Sequence, residues 1–315
     1  MDTFIAKRIL IMKEIKDPGI GYNSKIGAQR LINNDGTSNI IHHNSSSSFS
    51  ELYTYLITIS WGMFFMYVFL GYILINALFA LGYLAIGIEQ ITTPSNNMFE
   101  DFMNACYFSA QSLTTVGYGA MSPKGTSSSL LAAFEALTGL LSFSFITGLL
   151  YGRFSKPTPS VEFSNKIILR EFNGGTALMF RLMNVRKSMM IEPSIQVTMS
   201  IPEMNNNGEV KRSFYILELE RSNIMYLPTM WTIVHQINDE SPLSKYSKEE
   251  LKNLNAELFV LVNYYEQSFT QKLYQLYNYS LNDLEFNKKF VSTINYNTDG
   301  FVVLDHLLLN KLENA

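Results

Sequence analysis

From Trp61 to Ile88 the chain runs without one charged residue, longer than the ~20 apolar residues a membrane-spanning helix needs. Ser127 to Tyr151 repeats the pattern, with Glu135 as its only charge. Between them, Phe99–Leu113 predicts a helix too short to cross a bilayer but able to dip into one. Ahead of the first span, Phe49, Leu52, Tyr53, Leu56 and Ile59 recur at helical spacing, and the serine run Ser45–Ser48 offers an N-cap. That pattern predicts an amphipathic helix in the membrane interface; the alternative is a plain extension of the first span. After Pro157 and Pro159 short β-rich runs take over: Lys166–Phe172, Thr176–Val185, Ile195–Ile201, Lys211–Leu219, Thr232–Ile237, Leu258–Val262, Phe269–Leu276 and Phe290–Ile294. Turn signals at Asn173-Gly174-Gly175 and Asn205–Gly208 separate them, as in a β-sandwich. One soluble helix is signalled over Lys248–Asn255 by the capping box from Ser247 to Glu250. The predicted organisation is therefore an arm (1–47), an interfacial helix (48–60), a membrane pore domain (61–156, with helices 61–88, 99–113 and 127–154) and a soluble β-domain (157–315).

Composition narrows this picture. Hydrophobic residues make up 47% of the chain and charged residues only 16%, below the usual quarter of a soluble domain. A net charge of −3 argues against nucleic acid as a partner. Lysine and arginine set the orientation. The arm carries Lys7, Arg8, Lys13, Lys16, Lys25 and Arg30, and the segment after the second span carries Arg153, Lys156, Lys166 and Arg170. Between the spans only Lys124 stands against Glu89, Glu100 and Asp101. Both termini are expected on the cytoplasmic side. The single Cys106 forms no intrachain disulfide, and Met1–Met12 lacks the apolar core of a secretory signal. The β-domain contains no metal-spaced Cys/His cluster, phosphate loop or nucleophile–base set, so nothing points to an enzyme.

The candidate chemistry lies between the spans, in Thr114-Thr115-Val116-Gly117-Tyr118-Gly119, which resembles the selectivity filter of a potassium channel. In such a filter backbone carbonyls replace an ion's water shell, and glycine reaches the conformations that aim successive carbonyls at one axis. Potassium ions would be held by Thr115, Val116, Gly117 and Tyr118, the Thr115 hydroxyl completing the innermost ring; no organic cofactor is implied. One chain supplies one side of each ring, which implies a symmetric tetramer.

A wider resemblance covers nearly the whole chain. Arg30–Gly36, Arg153–Pro157, Phe180–Ser188 and Val234–Leu243 resemble segments of the inward-rectifier potassium channel family, bacterial branch. The resemblance implies a homotetramer in a bacterial inner membrane, with immunoglobulin-like cytoplasmic sandwiches extending the pore, and passive, potassium-selective conduction. A two-span channel whose sandwich senses a small ligand, and a membrane-anchored scaffold with a vestigial pore, are the competing readings; two intact filter glycines argue against the second.

The gate is expected on the second span, where Phe143, Thr147 and Tyr151 fall on one helix face. Resemblance puts Phe143 and Tyr151 at the family's pore-narrowing positions. Gly139 and Gly148 are candidates for a hinge or for close packing. Arg153, Lys156, Lys166 and Arg170 are candidates for anionic lipid headgroups. The sequence also departs from the family: Gln111 replaces the pore-helix glutamate that braces the filter, and Ala120 replaces an acidic residue after it. The cavity and vestibule positions that bind polyamines in strong rectifiers align with Phe143, Asn207 and Asn263, all neutral, so weak polyamine block is expected unless Glu135, Glu209 or Glu266 faces the pore.

Overall fold

The computed structural model describes residues 14–21, 23–24, 30–43, 49–204 and 210–315. Lys7, Arg8, Lys13, Lys25, the serine run Ser45–Ser48, Asn207 and Glu209 lie outside the described residues. The chain divides into two compact units, Asn44–Lys156 and a second made of Met1–His43 with Pro157–Ala315.

The first unit is helical: α1 (Phe49–Thr58), α2 (Trp61–Ile86), α3 (Met98–Leu113) and α4 (Thr126–Ser155). Ser60 caps α2, its Oγ accepting from the Met63 N–H at 3.4 Å. Asn97 does the same for α3 through the Phe99 N–H at 3.0 Å, and Glu100 and Asp101 complement the positive end of that helix. At 16 residues α3 is about 24 Å long, short of the ~30 Å hydrocarbon core. The 26-residue α2 and 30-residue α4 are long enough to cross it, and their most apolar 18-residue windows have mean hydropathies of 2.1 and 1.7. Only 17% and 11% of their most apolar windows are buried within the chain, unlike the core helices of a soluble protein.

The second unit is a β-sandwich. Its main strands are β1 (Val161–Phe163), β2 (Ile167–Phe172), β3 (Gly175–Asn184), β4 (Met190–Met204), β5 (Val210–Leu217), β6 (Met230–Ile237), β7 (Glu257–Glu266), β8 (Gln271–Ser280) and β9 (Leu284–Phe286), with the short helix α5 (Lys248–Asn253) between β6 and β7. One sheet runs β5-β4-β7-β8 and the other β9-β2-β3-β1, with β6 on the free side of β3. These pairs are antiparallel except β9 with β2. Alternation puts Leu178, Phe180 and Leu182 of β3 against Val197 and Met199 of β4 and Leu258, Val260 and Val262 of β7, forming the core between the sheets. Ala177 and Met179 on the opposite face of β3 are covered by Ile168 and Phe290, so this strand is buried on both sides and reads as an apolar run, Ala177–Met183, broken only by Arg181.

Two expectations are corrected here. Phe290–Ile294 is not one strand: Lys288–Phe290 pairs with Leu312–Asn314, and Ile294–Tyr296 pairs with Val302–Leu304. The interruption has a cause in Arg181, buried in β3, whose guanidinium donates to the carbonyls of Val291 (2.5 Å) and Phe290 (3.3 Å) and lies over the Phe290 ring. Burial lowers its pKa to about 10, which still leaves it charged at neutral pH. The arm is also part of the sandwich rather than a separate appendage. Glu14–Ile15 and Asn23–Ser24 add to the edge of β5, and the Asn34 carbonyl accepts from the Asn278 N–H of β8. Arg30 and Arg212 both pair with the buried Glu257, at 3.3 and 2.9 Å. Gly36, at φ +80°, sits so close to β8 that a Cβ would lie 2.0 Å from the Leu276 carbonyl oxygen.

Candidate functional site

The segment after α3 has an unusual backbone. Thr115, Gly117 and Gly119 take positive φ of 59°, 53° and 83°, while Val116 and Tyr118 between them do not. Alternating hand along five residues turns successive carbonyls toward the same side. Glycine adopts this conformation freely, but at Thr115 it costs roughly 1–2 kcal/mol. Sequence reasoning assigned the geometry to the two glycines alone and missed Thr115.

The C-terminus of α3 restrains this backbone. The Gln111 carbonyl accepts from the N–H groups of Val116 (3.0 Å) and Gly117 (3.3 Å), and the Ser112 carbonyl from that of Thr115 (3.1 Å). The Thr114 hydroxyl returns to the Ala110 carbonyl at 2.6 Å. These bonds satisfy the Gln111 and Ser112 carbonyls, two of those a helix end leaves without an intrahelical partner. The Gln111 side chain takes no visible part: its Oε1 is buried and accepts no hydrogen bond among the described residues. Residues 114–120 are all exposed in the single chain, Val116 by 54% and Tyr118 by 78%. One chain alone therefore does not cover these two side chains.

Behind α3, one carboxyl group joins three helices. Glu135 of α4 is fully buried; its Oε2 accepts from the Tyr83 hydroxyl of α2 at 2.6 Å, and its Oε1 contacts Ser109 Oγ of α3. Ser109 Oγ also lies 3.0 Å from Asn76 Oδ1 of α2. Glu135 thus faces protein, not an open cavity, and the sequence signal that could have located it was a lone acid in an apolar span. One turn further along α4, Gly139 touches the end of α3: a Cβ there would lie 1.9 Å from the Leu113 carbonyl oxygen. Gly139 is thus closely packed against α3. Gly148 has open space around it.

Phe143, Thr147 and Tyr151 lie on an exposed face of α4, Phe143 and Tyr151 at 72% and 74% exposure. Arg153 is engaged within the chain. Its guanidinium donates to the carbonyls of Leu56 and Ile59, both at 2.7 Å, and lies 4.4 Å over the Trp61 ring. It ties the C-terminus of α1 to α4. Lys156 is exposed. In the sandwich, Lys166 pairs with Glu285 at 3.6 Å and Arg170 lies 5.8 Å over the Phe172 ring. Glu266, considered as a vestibule acid, is fully buried and accepts from Ser188 Oγ at 2.7 Å. Asn263 is half-buried in β7.

Comparison with known proteins agrees with this anatomy. Residues 63–156 match the ion channel family model, and residues 161–314 match the inward rectifier potassium channel C-terminal domain. The inward rectifier potassium channel Kirbac3.1 of Paramagnetospirillum magnetotacticum is 34% identical over 88% of this chain and 93% of its own length. The G protein-activated inward rectifier potassium channel 2 of Mus musculus is 23% identical over 88% of this chain and 70% of its own. A structural alignment with the sporulation control protein Spo0M of Bacillus subtilis, at 10% identity, TM-score 0.23, 41% of this chain and 50% of that one, carries no argument. The pore unit, the β-rich domain and the first of these relatives place the chain: it is a potassium ion channel, not an enzyme, and belongs to the inward rectifier potassium channel family.

Proposed function

We propose that four copies of this chain form a homotetramer in which Thr114–Gly119 line a potassium-selective path. The observation that carries this reading is the alternating hand at Thr115, Gly117 and Gly119. Four such segments about one axis would present rings of carbonyls from Thr115, Val116, Gly117 and Tyr118, with the Thr115 hydroxyl innermost, in place of a potassium ion's hydration shell. The exposed Val116 and Tyr118 side chains support the tetramer, because neighbouring copies would bury apolar surface that one chain leaves open.

Rings of Phe143, Thr147 and Tyr151 would then narrow the inner half of the pore and gate it by constriction and dewetting, with Gly148 as the hinge position. The likeness to a bacterial inward rectifier favours a bacterial inner membrane, and the lysine and arginine clusters read from the sequence favour both termini in the cytoplasm. Lys156 is the cation best placed to meet anionic headgroups, and Lys166 and Arg170 are further candidates. Neutral Phe143 and Asn263, together with the burial of Glu135 and Glu266, support weak polyamine block.

The deciding experiment compares potassium and sodium flux through purified protein in liposomes, for the wild type and Gly117→Ala. At φ +53° an added Cβ is strained whatever space surrounds it. Potassium-selective flux is expected in the wild type and its loss in the variant, with the tetramer retained. Equal potassium flux and equal sodium exclusion in both would overturn the filter assignment.

A further inference from the structure

Three helices bring polar side chains to one point inside an apolar unit, where each unpaired polar group is costly. Asn76 and Tyr83 come from α2, Ser109 from α3 and Glu135 from α4, and none is more than 6% exposed. Their protons can be counted. Asn76 Nδ2 donates to the Tyr72 carbonyl at 2.7 Å, which turns Asn76 Oδ1 toward Ser109. Three contacts then remain: Tyr83 with Glu135 Oε2, Ser109 with Glu135 Oε1, and Ser109 with Asn76 Oδ1. Each needs one proton, and the two hydroxyls bring only two. A carboxylate at 135 therefore satisfies two contacts and leaves Asn76 Oδ1 facing a bare oxygen. A carboxylic acid, or a carboxamide, satisfies all three: it donates to Ser109 Oγ, which passes its own proton to Asn76, and accepts from Tyr83.

The same contact fixes the register of α3 on α4. Ser109 and Leu113 are one turn apart on α3, and Glu135 and Gly139 one turn apart on α4. Ser109 meets Glu135, and the Leu113 carbonyl meets Gly139 with no room for a side chain. Between Ser109 and Leu113 lies Gln111, whose carbonyl holds the N–H groups of Val116 and Gly117. The Gln111 side chain, with its buried and unbonded oxygen, adds no such restraint.

We propose that Glu135 is a positioning residue for ion selectivity: by hydrogen bonding to Ser109 it sets the pore helix, and through the Gln111 carbonyl the filter, from behind. The proposal rests on reading Thr114–Gly119 as the filter.

The test is the potassium-to-sodium permeability ratio of full-length channels in planar bilayers, for the wild type, Glu135→Leu, Glu135→Gln and Ser109→Ala, each checked for tetramers. Glu135→Gln reproduces the donor and acceptor pattern and is expected to keep the ratio. Glu135→Leu and Ser109→Ala are expected to lower it roughly tenfold, the factor that loss of one well-made buried hydrogen bond supplies. Should Glu135→Leu fail to assemble, Ser109→Ala, which removes one oxygen, decides alone. A selective wild type with an unchanged ratio in Ser109→Ala overturns the proposal. So does a loss in Glu135→Gln equal to that in Glu135→Leu, since a charge and not a hydrogen-bond pattern would then matter. A wild type that does not discriminate potassium from sodium overturns the filter reading itself.

Discussion

The two units of this chain bury their apolar surface in opposite ways. In the sandwich, Leu182, Val197, Val260 and their neighbours are fully enclosed by strands of the same chain. In the pore unit, α2 and α4 are long and apolar, yet most of their side chains, with Val116 and Tyr118, face outward. Beside a small apolar cluster of Ala80, Tyr83, Ile91, Ala105 and Phe108, the pore unit buries the polar residues Asn76, Ser109, Ser128 and Glu135. The sandwich is specified by hydrophobic complementarity that one chain completes. The pore unit adds hydrogen bonds and close backbone approach to its small apolar cluster, and leaves an apolar outer surface that the proposed tetramer and membrane would cover. Between apolar helices in lipid there is little hydrophobic drive, so polar contacts and small residues carry the specificity.

A pair of substitutions tests that contrast most sharply. Leu182→Ala removes methyl groups from a fully buried site and is expected to cost about 2–5 kcal/mol. The loss should show in thermal unfolding of the sandwich equally in tetramers and in chains dissociated by detergent. Val116→Ala is expected to change the stability of dissociated chains by no more than about 0.5 kcal/mol, and to act only in the tetramer, where it should weaken selectivity and assembly. If Val116→Ala destabilised the dissociated chain as much as Leu182→Ala, the pore unit would be as self-contained as the sandwich and the contrast would fail.

A smaller effect distinguishes the two glycines of α4. Gly139→Ala forces a methyl against the Leu113 carbonyl, and overpacking of that kind costs about 1–3 kcal/mol. Lower thermal stability is expected even in the dissociated chain, because both partners belong to it. Gly148→Ala meets nothing within 4 Å in the single chain and should leave dissociated chains unchanged. Any effect confined to tetramers would place Gly148 at a contact between copies or at a bending point of the assembled pore. Measuring both variants in both states separates these roles.

Periodicity and motif made much of this legible. Long apolar runs with no charge or a single one located both long helices, and the run Thr114–Gly119 located the candidate filter, because each is a contiguous signal. Most strands were legible from β-branched and aromatic runs bounded by Asn and Gly. The remainder depends on contacts between distant residues. Arg181 breaks the run at Phe290–Ile294 by claiming two carbonyls more than a hundred positions away, which no local propensity encodes. Arg153 looked like one more positive charge beside a membrane, yet its partners are carbonyls of a helix nearly a hundred residues earlier. Glu135 was conspicuous in sequence, but its partners Tyr83 and Ser109 are ordinary residues until the helices pack. Thr115 was missed for another reason: its positive φ is imposed by its neighbours, against its own preference.

The smallest predicted effect concerns acid, and it falls on the self-contained unit. His235 of β6 is buried with 3% exposure. Its Nδ1 lies 2.6 Å from the Glu218 carbonyl, so Nδ1 carries the proton and donates. Its Nε2 lies 2.8 Å from Ser241 Oγ and accepts that hydroxyl's proton, while Ser241 Oγ accepts from the Leu243 N–H. A second proton on the ring would face a hydroxyl already donating toward it and would place a charge where water is excluded. Desolvation therefore holds the His235 pKa below its ordinary value. In the unfolded chain the ring titrates near ~6.5. Above that pH both states are neutral and the residue adds no pH dependence. Below it the unfolded chain binds a proton that the folded chain refuses, so stability falls as pH drops, by at most about 1.4 kcal/mol per pH unit, until the folded value is reached. The melting temperature of the sandwich should accordingly decline more steeply between pH 6.5 and 5.5 in the wild type than in His235→Asn, which cannot titrate. The exposed His42, His43 and His306 are common to both proteins and cancel in the difference. Parallel slopes would mean that His235 protonates without penalty and that its two hydrogen bonds do not hold the neutral form.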